Sequence, residues 1–214
     1  LLPNQIGYAL ENSVRHYRAR GTTAKVNLAV DKVPQFNGAE GVVEFARTGN
    51  SFDEMERAFD AVKYRRFSEE PVLDIHIPSM EDPSLAPPGH AVLSILVHFA
   101  PHHFDEGWSD ETKDRLLKTV TRTLEHYTPG ITDSIVGYEV LSPVDLETRY
   151  GLTNGHIFHG EHAVDQLVIR PFLSCMRYKT PVGGLYLCGG GAHPGGGITC
   201  MPGYLAAGVI QKSI

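Results

Sequence analysis

From Thr180 to Gln211 the chain carries no Lys, Arg, Asp or Glu, and ten of its 22 glycines fall between Gly183 and Gly208. This stretch is too rich in Gly and Pro for a membrane helix. It offers few side chains for a core of its own, but a backbone without Cβ atoms can approach another group closely. The expectation is a segment held against something large and buried, not one laid on the surface.

The remainder is ordinary enough to make that stretch stand out. With 214 residues, 42% hydrophobic and 21% charged, the chain can bury a sizeable core, which excludes a disordered tail or a disulfide miniprotein. Nineteen Lys plus Arg against 25 Asp plus Glu leave a net charge of −6, which argues against a nucleic-acid partner. Three cysteines (Cys175, Cys188, Cys200) without CxxC spacing suggest neither a disulfide framework nor a structural zinc, and fit a reducing, cytoplasmic compartment. Leu1-Leu2-Pro3-Asn4 shows no initiator Met and no signal-peptide pattern, so the start reads as a cut within a longer protein.

Local periodicity gives alternating helices and strands. Ile6, Leu10, Val14 and Tyr17 predict a helix over 4–20 stopped by Gly21. Ala24, Val26, Leu28 and Val30 alternate with polar residues as a half-buried strand ended by Pro34. Ser51 and Glu54 read as a capping box ahead of a helix to about Arg65, with Phe52, Met55, Phe59 and Val62 as its apolar stripe. Leu73–Ile77 and Ala91–Phe99, the latter apolar on both faces, predict neighbouring antiparallel strands joined by a Pro-rich loop. Ser109 caps a helix bearing Leu116, Leu117, Val120 and Leu124, with Gly130 beyond its end, and 135–141 predicts another strand. With no repeat at fixed period, the fold class is mixed α/β (α+β).

The segment Gly184-Leu185-Tyr186-Leu187-Cys188, the run Gly189-Gly190-Gly191-Ala192-His193-Pro194-Gly195-Gly196-Gly197, and then Ile198 to Gly208 read as a buried strand, a glycine turn and a small-residue helix. Exposed backbone N–H groups and a helix N-terminus there would suit an anionic or electron-rich ligand edge. The run resembles the C-terminal flavin-binding segment of the phytoene desaturase-like FAD oxidoreductases, relatives of the amine oxidases, whose pattern is LYLCG-x-G-THPGGG-x-x-G-x-PG-x-x-AA. Gly155-His156-Ile157-Phe158-His159-Gly160, Asp165-Gln166-Leu167, Arg170-Pro171, Tyr178 and Pro181 extend it upstream. The match is close from Tyr150 to Ala207 and looser before that, where Ala24–Ala29 and Val33-Pro34 resemble a substrate-domain strand. Ala192, Cys200 and Tyr204 depart from the Thr, Gly and Arg usual in the family, which bears on subfamily and substrate.

The resemblance implies that Gly189, Gly190, Gly191, His193, Pro194, Gly195, Gly196, Gly197 and Ile198 contact FAD. A helix opening at Gly196, Gly197 and Ile198 would face the N1–C2 carbonyl edge of the ring system. It further implies dehydrogenation or isomerisation of a C–C bond in a lipophilic substrate, without a catalytic side chain assigned in this chain. The family's GxGxxG unit is absent from these residues, so a missing N-terminal dinucleotide-binding segment is expected as partner, and FAD binding by the chain alone should be weak. Residues 1–150 would form a partial substrate-binding domain with a mostly antiparallel sheet. Residues 151–214 would supply the last strand and helix of a Rossmann-like flavin domain. Membrane-peripheral location and self-association through an exposed apolar face are further expectations. The alternative is a non-redox ligand-binding or interaction module with the same fold.

Other features read more plainly. His98, His102 and His103, and separately His156, His159 and His162, are spaced poorly for a metal, and none is expected. Cys188 and Cys200 should behave as small buried hydrophobes, and Lys63, Arg65 and Arg66 as a solvated helix end. Arg170, in an apolar stretch, needs a partner, and Asp165 is the first candidate, with a cofactor or substrate contact as the other.

Overall fold

The period-two alternation of residues 23–30 has the consequence expected of it. In the computed structural model, which describes residues 6–213, strand β1 (Thr23–Val30) buries Ala24, Val26, Leu28 and Val30 completely. It pairs antiparallel with β4 (Ala91–His98) on one side and β5 (Ile135–Leu141) on the other. Strand β3 (Leu73–His76) continues the sheet from β4, and the short β2 (Phe45–Arg47) forms its edge, giving the order β2-β3-β4-β1-β5. Every pairing is antiparallel, in keeping with the mostly antiparallel sheet expected from the sequence.

The register aligns Leu28 with Leu93 and Val26 with Ile95, and Ile95 in turn with Ile75. One face is thereby a continuous apolar layer. Helix α3 (Asp110–Tyr127) closes it with Leu116, Val120 and Leu124, all fully buried. Each such side chain contributes about 1.5–3 kcal/mol relative to exposure. The Ser109 hydroxyl accepts from the Thr112 N–H while Thr112 Oγ1 accepts from the Ser109 N–H, which satisfies two donors at the helix start. The run 91–99 is apolar on both sides, but only one side is packed: Val92, Leu96 and His98 are half-buried on the other. There Asp74 joins Arg47 and, at 2.9 Å, His98 Nε2.

Helix α2 (Phe52–Lys63) departs from expectation in its orientation. Ser51 caps it, but Glu54 accepts from the Asn50 N–H, one residue before the box would place it. Its buried residue is Ala58, flanked by half-buried Ala61 and Val62, so the helix turns its small side inward. The predicted stripe of Phe52, Met55 and Phe59 is left exposed, Phe52 at 89%. Helix α4 (Pro143–Tyr150), not anticipated from periodicity, has a Ser142–Asp145 capping box and ends on the left-handed Gly151.

This sheet unit spans Gly21–Gly155, and the second unit joins the N-terminal residues up to Arg20 with those from His156 onward. The sequence boundary at 150/151 differs in placing the N-terminal helix with the sheet. In the second unit are α1 (Tyr8–His16), α5 (Val164–Leu167) and α6 (Met201–Gln211). Helix α1 is shorter than the predicted 4–20, of which residues 4 and 5 lie outside the described residues. It ends at His16 because the backbone of Arg18 is already engaged. The Gln166 side chain accepts from Arg18 N–H and donates to Arg18 C=O, both at 2.9 Å, and Glu161 N–H donates to the same carbonyl. Gly21, expected as a helix stop, is instead needed for space: a Cβ there would lie 2.1 Å from the Asn154 carbonyl oxygen. No helix among the described residues is long and apolar enough to cross a membrane.

Candidate functional site

The charge-free stretch begins as a hairpin, not as the buried strand predicted for 184–188. Thr180 N–H donates to Leu185 C=O, Leu187 N–H donates to Tyr178 C=O at 2.7 Å, and the two arms share an isolated bridge, Lys179–Tyr186. Leu185, Tyr186 and Leu187 are half-buried. Buried Tyr178 anchors the hairpin to the glycine turn, its hydroxyl donating to the His193 carbonyl at 2.9 Å. His193 Nδ1 is itself buried without a hydrogen-bond partner among the described residues.

Beyond the hairpin, Ala192 N–H donates to Gly189 C=O and Gly195 N–H to Ala192 C=O, so the glycine run is two tight turns in succession. It is packed onto residues 156–162. A Cβ on Gly190 would lie 3.2 Å from His159 Cδ2, and one on Gly196 would lie 3.3 Å from Phe158 Cδ1. Underneath, Arg170 is fully buried and donates to four backbone carbonyls: Gly190 at 3.1 Å, Phe158 at 2.6 Å, Gly160 at 3.0 Å and Glu161 at 3.4 Å. Its expected pairing with Asp165 does not form, because Asp165 binds Arg18 at 2.6 Å. The guanidinium serves as a buried clasp between the glycine turn and the segment upstream of it.

From Gly195 to Cys200 the backbone is left-handed at Gly195 (φ 105°), Gly197 (127°), Ile198 (58°) and Cys200 (56°). Helix α6 therefore starts at Met201, three residues later than the opening at Gly196–Ile198 that the sequence suggested. The expectation of burial also fails here. Gly196, Gly197, Thr199 and Cys200 are exposed and Ile198 is fully so, as is much of Tyr204. A lack of charge does not bury a segment whose glycines have no side chain to hide and whose amides water can satisfy. Cys188 and Cys200, expected as small buried hydrophobes, are likewise exposed, and Cys175 is the buried thiol instead. Among the described residues, no group accepts from the N–H of Gly196, Gly197, Ile198 or Thr199. The turn thus presents a row of unpaired donors with little side chain in front of them.

The electrostatics around it are set from α1's exit. Arg20 holds Glu161 at 2.6 Å, and Arg18 bridges Glu161 and Asp165. The Arg20 guanidinium holds the Glu161 carboxyl below the usual carboxylate range, and Arg18 does the same for Asp165. Burial holds His156 below the ordinary histidine range, and burial with the Arg170 charge holds His162 there too. All four groups take up protons more readily when unfolded, so stability is full above the ordinary histidine value and falls as pH drops, first through the histidines and then the carboxylates. Thermal unfolding followed from about pH 7 down to about pH 2 should show this loss, and Glu161→Gln should flatten its lower limb; an unchanged slope in that variant would count against the pairing. Among the described residues, no three His, Cys, Asp or Glu side chains lie close enough to hold a metal. His98 and His102 are taken by Asp74 and Glu147 respectively.

No protein-family model matches the chain. Individual proteins do. It is 36% identical over 203 residues to the pyridine nucleotide-disulfide oxidoreductase domain-containing protein 2 of Mus musculus, covering 89% of this chain and 35% of that protein. It is 32% identical over 149 residues to the lycopene-forming phytoene desaturase of Pseudescherichia vulneris, covering 66% of this chain and 28% of the desaturase. Against the neurosporene-forming phytoene desaturase of Rhodobacter capsulatus the identity is 32% over 139 residues, covering 64% of this chain and 26% of that one. The chain therefore spans about a quarter to a third of the length of the curated relatives it matches. With similarity to two desaturases in addition to 36% identity along most of its length to an oxidoreductase domain protein, the chain belongs to the phytoene desaturase-like family of oxidoreductases.

Proposed function

We propose that the glycine turn 189–198 forms one wall of an FAD site, in a protein that dehydrogenates or isomerises a C–C bond of a lipophilic substrate. The observation that supports this most is the row of unpaired N–H groups at Gly196, Gly197, Ile198 and Thr199, set where Gly196 and Gly197 offer no Cβ. Such a row suits the electron-rich edge of an isoalloxazine better than a polar side chain, because its donors are fixed by backbone turns and need no reorganisation. When bound, the flavin supplies the hydride acceptor. The chain's own residues would orient the ring and exclude water: the turn leaves its N–H groups unpaired, the Arg170 clasp holds the turn through Gly190, and the exposed Ile198 offers an apolar surface. The pyrophosphate and adenosine would be held by a strand–GxGxxG–helix unit outside these 214 residues.

Flavin absorbance tests this reading. A version extended upstream should be yellow as purified, and the 214-residue chain should gain little colour with added FAD. In the extended protein, Gly197→Val should abolish flavin retention while leaving the circular dichroism unchanged, because a β-branched residue cannot adopt φ 127°. An extended protein that binds no FAD would leave the non-redox binding module as the better account.

A further inference from the structure

After Asp165 the sequence contains no Asp or Glu, yet it contains Arg170, Arg177, Lys179 and Lys212. In a chain of net charge −6 this is a local excess of cations, and it is unevenly used. Arg170 is spent on four backbone carbonyls. Arg177 and Lys179 are exposed, and among the described residues neither has a carboxylate within 4.0 Å. They flank Tyr178, whose burial and hydroxyl bond to His193 fix the backbone between them.

Both cations line an open cavity of about 640 Å³ in the second unit, whose walls also include Leu173, Met176, Pro181 and Val209 of α6. That volume is within the roughly 300–1,000 Å³ of small-molecule sites. None of these residues belongs to the glycine turn 189–198. Leu173 is 71% exposed, an unfavourable placement for a leucine unless something apolar lies against it. The cavity therefore combines an apolar wall with two uncompensated positive charges, one of them a guanidinium able to bind a carboxylate with two parallel hydrogen bonds.

We propose that this cavity binds one amphiphilic anion, a long-chain carboxylate whose head group meets Arg177 and Lys179 and whose alkyl chain covers Leu173, Met176 and Val209. A short anion would lack the apolar contact and be held weakly by exposed, salt-screened charges. A neutral chain would leave both cations unanswered. The site requires both halves of the ligand, and it does not depend on the flavin reading.

Isothermal titration of the chain with palmitate below its micellar concentration tests this, with acetate and hexadecanol as half-ligand probes. Palmitate should bind in equimolar ratio, and acetate not detectably. Arg177→Glu with Lys179→Glu should weaken palmitate at least about tenfold, and Leu173→Asp, at a position 71% exposed, by a similar factor. These are surface substitutions, and unchanged thermal unfolding would show that the fold is retained. Absence of palmitate binding, or binding indifferent to both sets of substitutions, would overturn the proposal. So would binding confined to phosphatidylcholine–phosphatidylglycerol vesicles, which would make the patch a membrane contact instead of a single-ligand site.

Discussion

Arg170→Met should destabilise the second unit by about 3–5 kcal/mol, as expected when several buried carbonyls lose their donor at once. The methionine fills much of the same volume but donates nothing. The carbonyls of Phe158, Gly160, Glu161 and Gly190 then remain where water does not reach easily, each costing about 1–3 kcal/mol if it stays unsatisfied. Arg170→Lys should rescue little, because one ammonium cannot reproduce a planar fork that reaches carbonyls as far as 20 residues from it in sequence. Urea unfolding monitored by amide exchange at residues 156–162 and 189–195 would show the loss directly. As a control, Arg177→Met at an exposed position should be nearly neutral. If Arg170→Met unfolded at the wild-type urea midpoint, the clasp would have no stabilising role.

The second large effect is expected in the sheet unit. Gly155→Ala would place a Cβ 2.1 Å from the Pro143 carbonyl oxygen and 2.7–2.8 Å from two further backbone atoms, at φ 69°. A backbone neighbour cannot rotate away, so the first turn of α4 would have to move. The cost should be about 3 kcal/mol or more, a large share of a typical domain's stability. Gly151→Ala isolates the conformational part, since it has φ 67° but nothing within 4 Å of the added methyl. It should cost only about 1–2 kcal/mol. Equal effects of the two substitutions in thermal or urea unfolding would refute the steric argument.

Residue patterns reveal the sheet unit better than the second unit, and for a physical reason. Strands β1 and β3 and helix α3 each carry their burial in their own periodicity, and 135–141 and Ser109 can be placed from local sequence alone, whereas β4 is apolar on both faces and buries only one. Helix α4 is equally legible in principle, from Ser142, Pro143, Asp145 and Gly151. Helix α2 shows the limit of such patterns, because amphipathicity identifies an apolar stripe without saying whether anything covers it. In the second unit the organising contacts are distant in sequence: Gln166 engages Arg18 across 148 residues, and Glu161 reaches Arg20 across 141. No local pattern announces these, so periodicity makes α1 too long and proximity in sequence gives Arg170 the wrong partner. The glycine turn is recognisable by composition and resemblance, but its left-handed residues at Ile198 and Cys200, which delay α6, follow from packing that the sequence does not display.

The joining of residues 6–20 to those beyond His156 has a consequence for biosynthesis. The sheet unit is continuous from Gly21 to Gly155 and can close as soon as it leaves the ribosome, whereas α1 emerges before it and has its partners beyond His156 still to be made. At about 5–20 residues per second, the nascent α1 waits on the order of ten seconds for Glu161 and Gln166 to be made. During that interval Leu10 and Tyr17 are without their native contacts, and Arg18 and Arg20 are without their carboxylates. Maturation of the second unit is thus coupled to synthesis of the residues beyond His156, and a ribosome stalled before residue 161 would release a finished sheet with α1 still lacking Glu161 and Gln166.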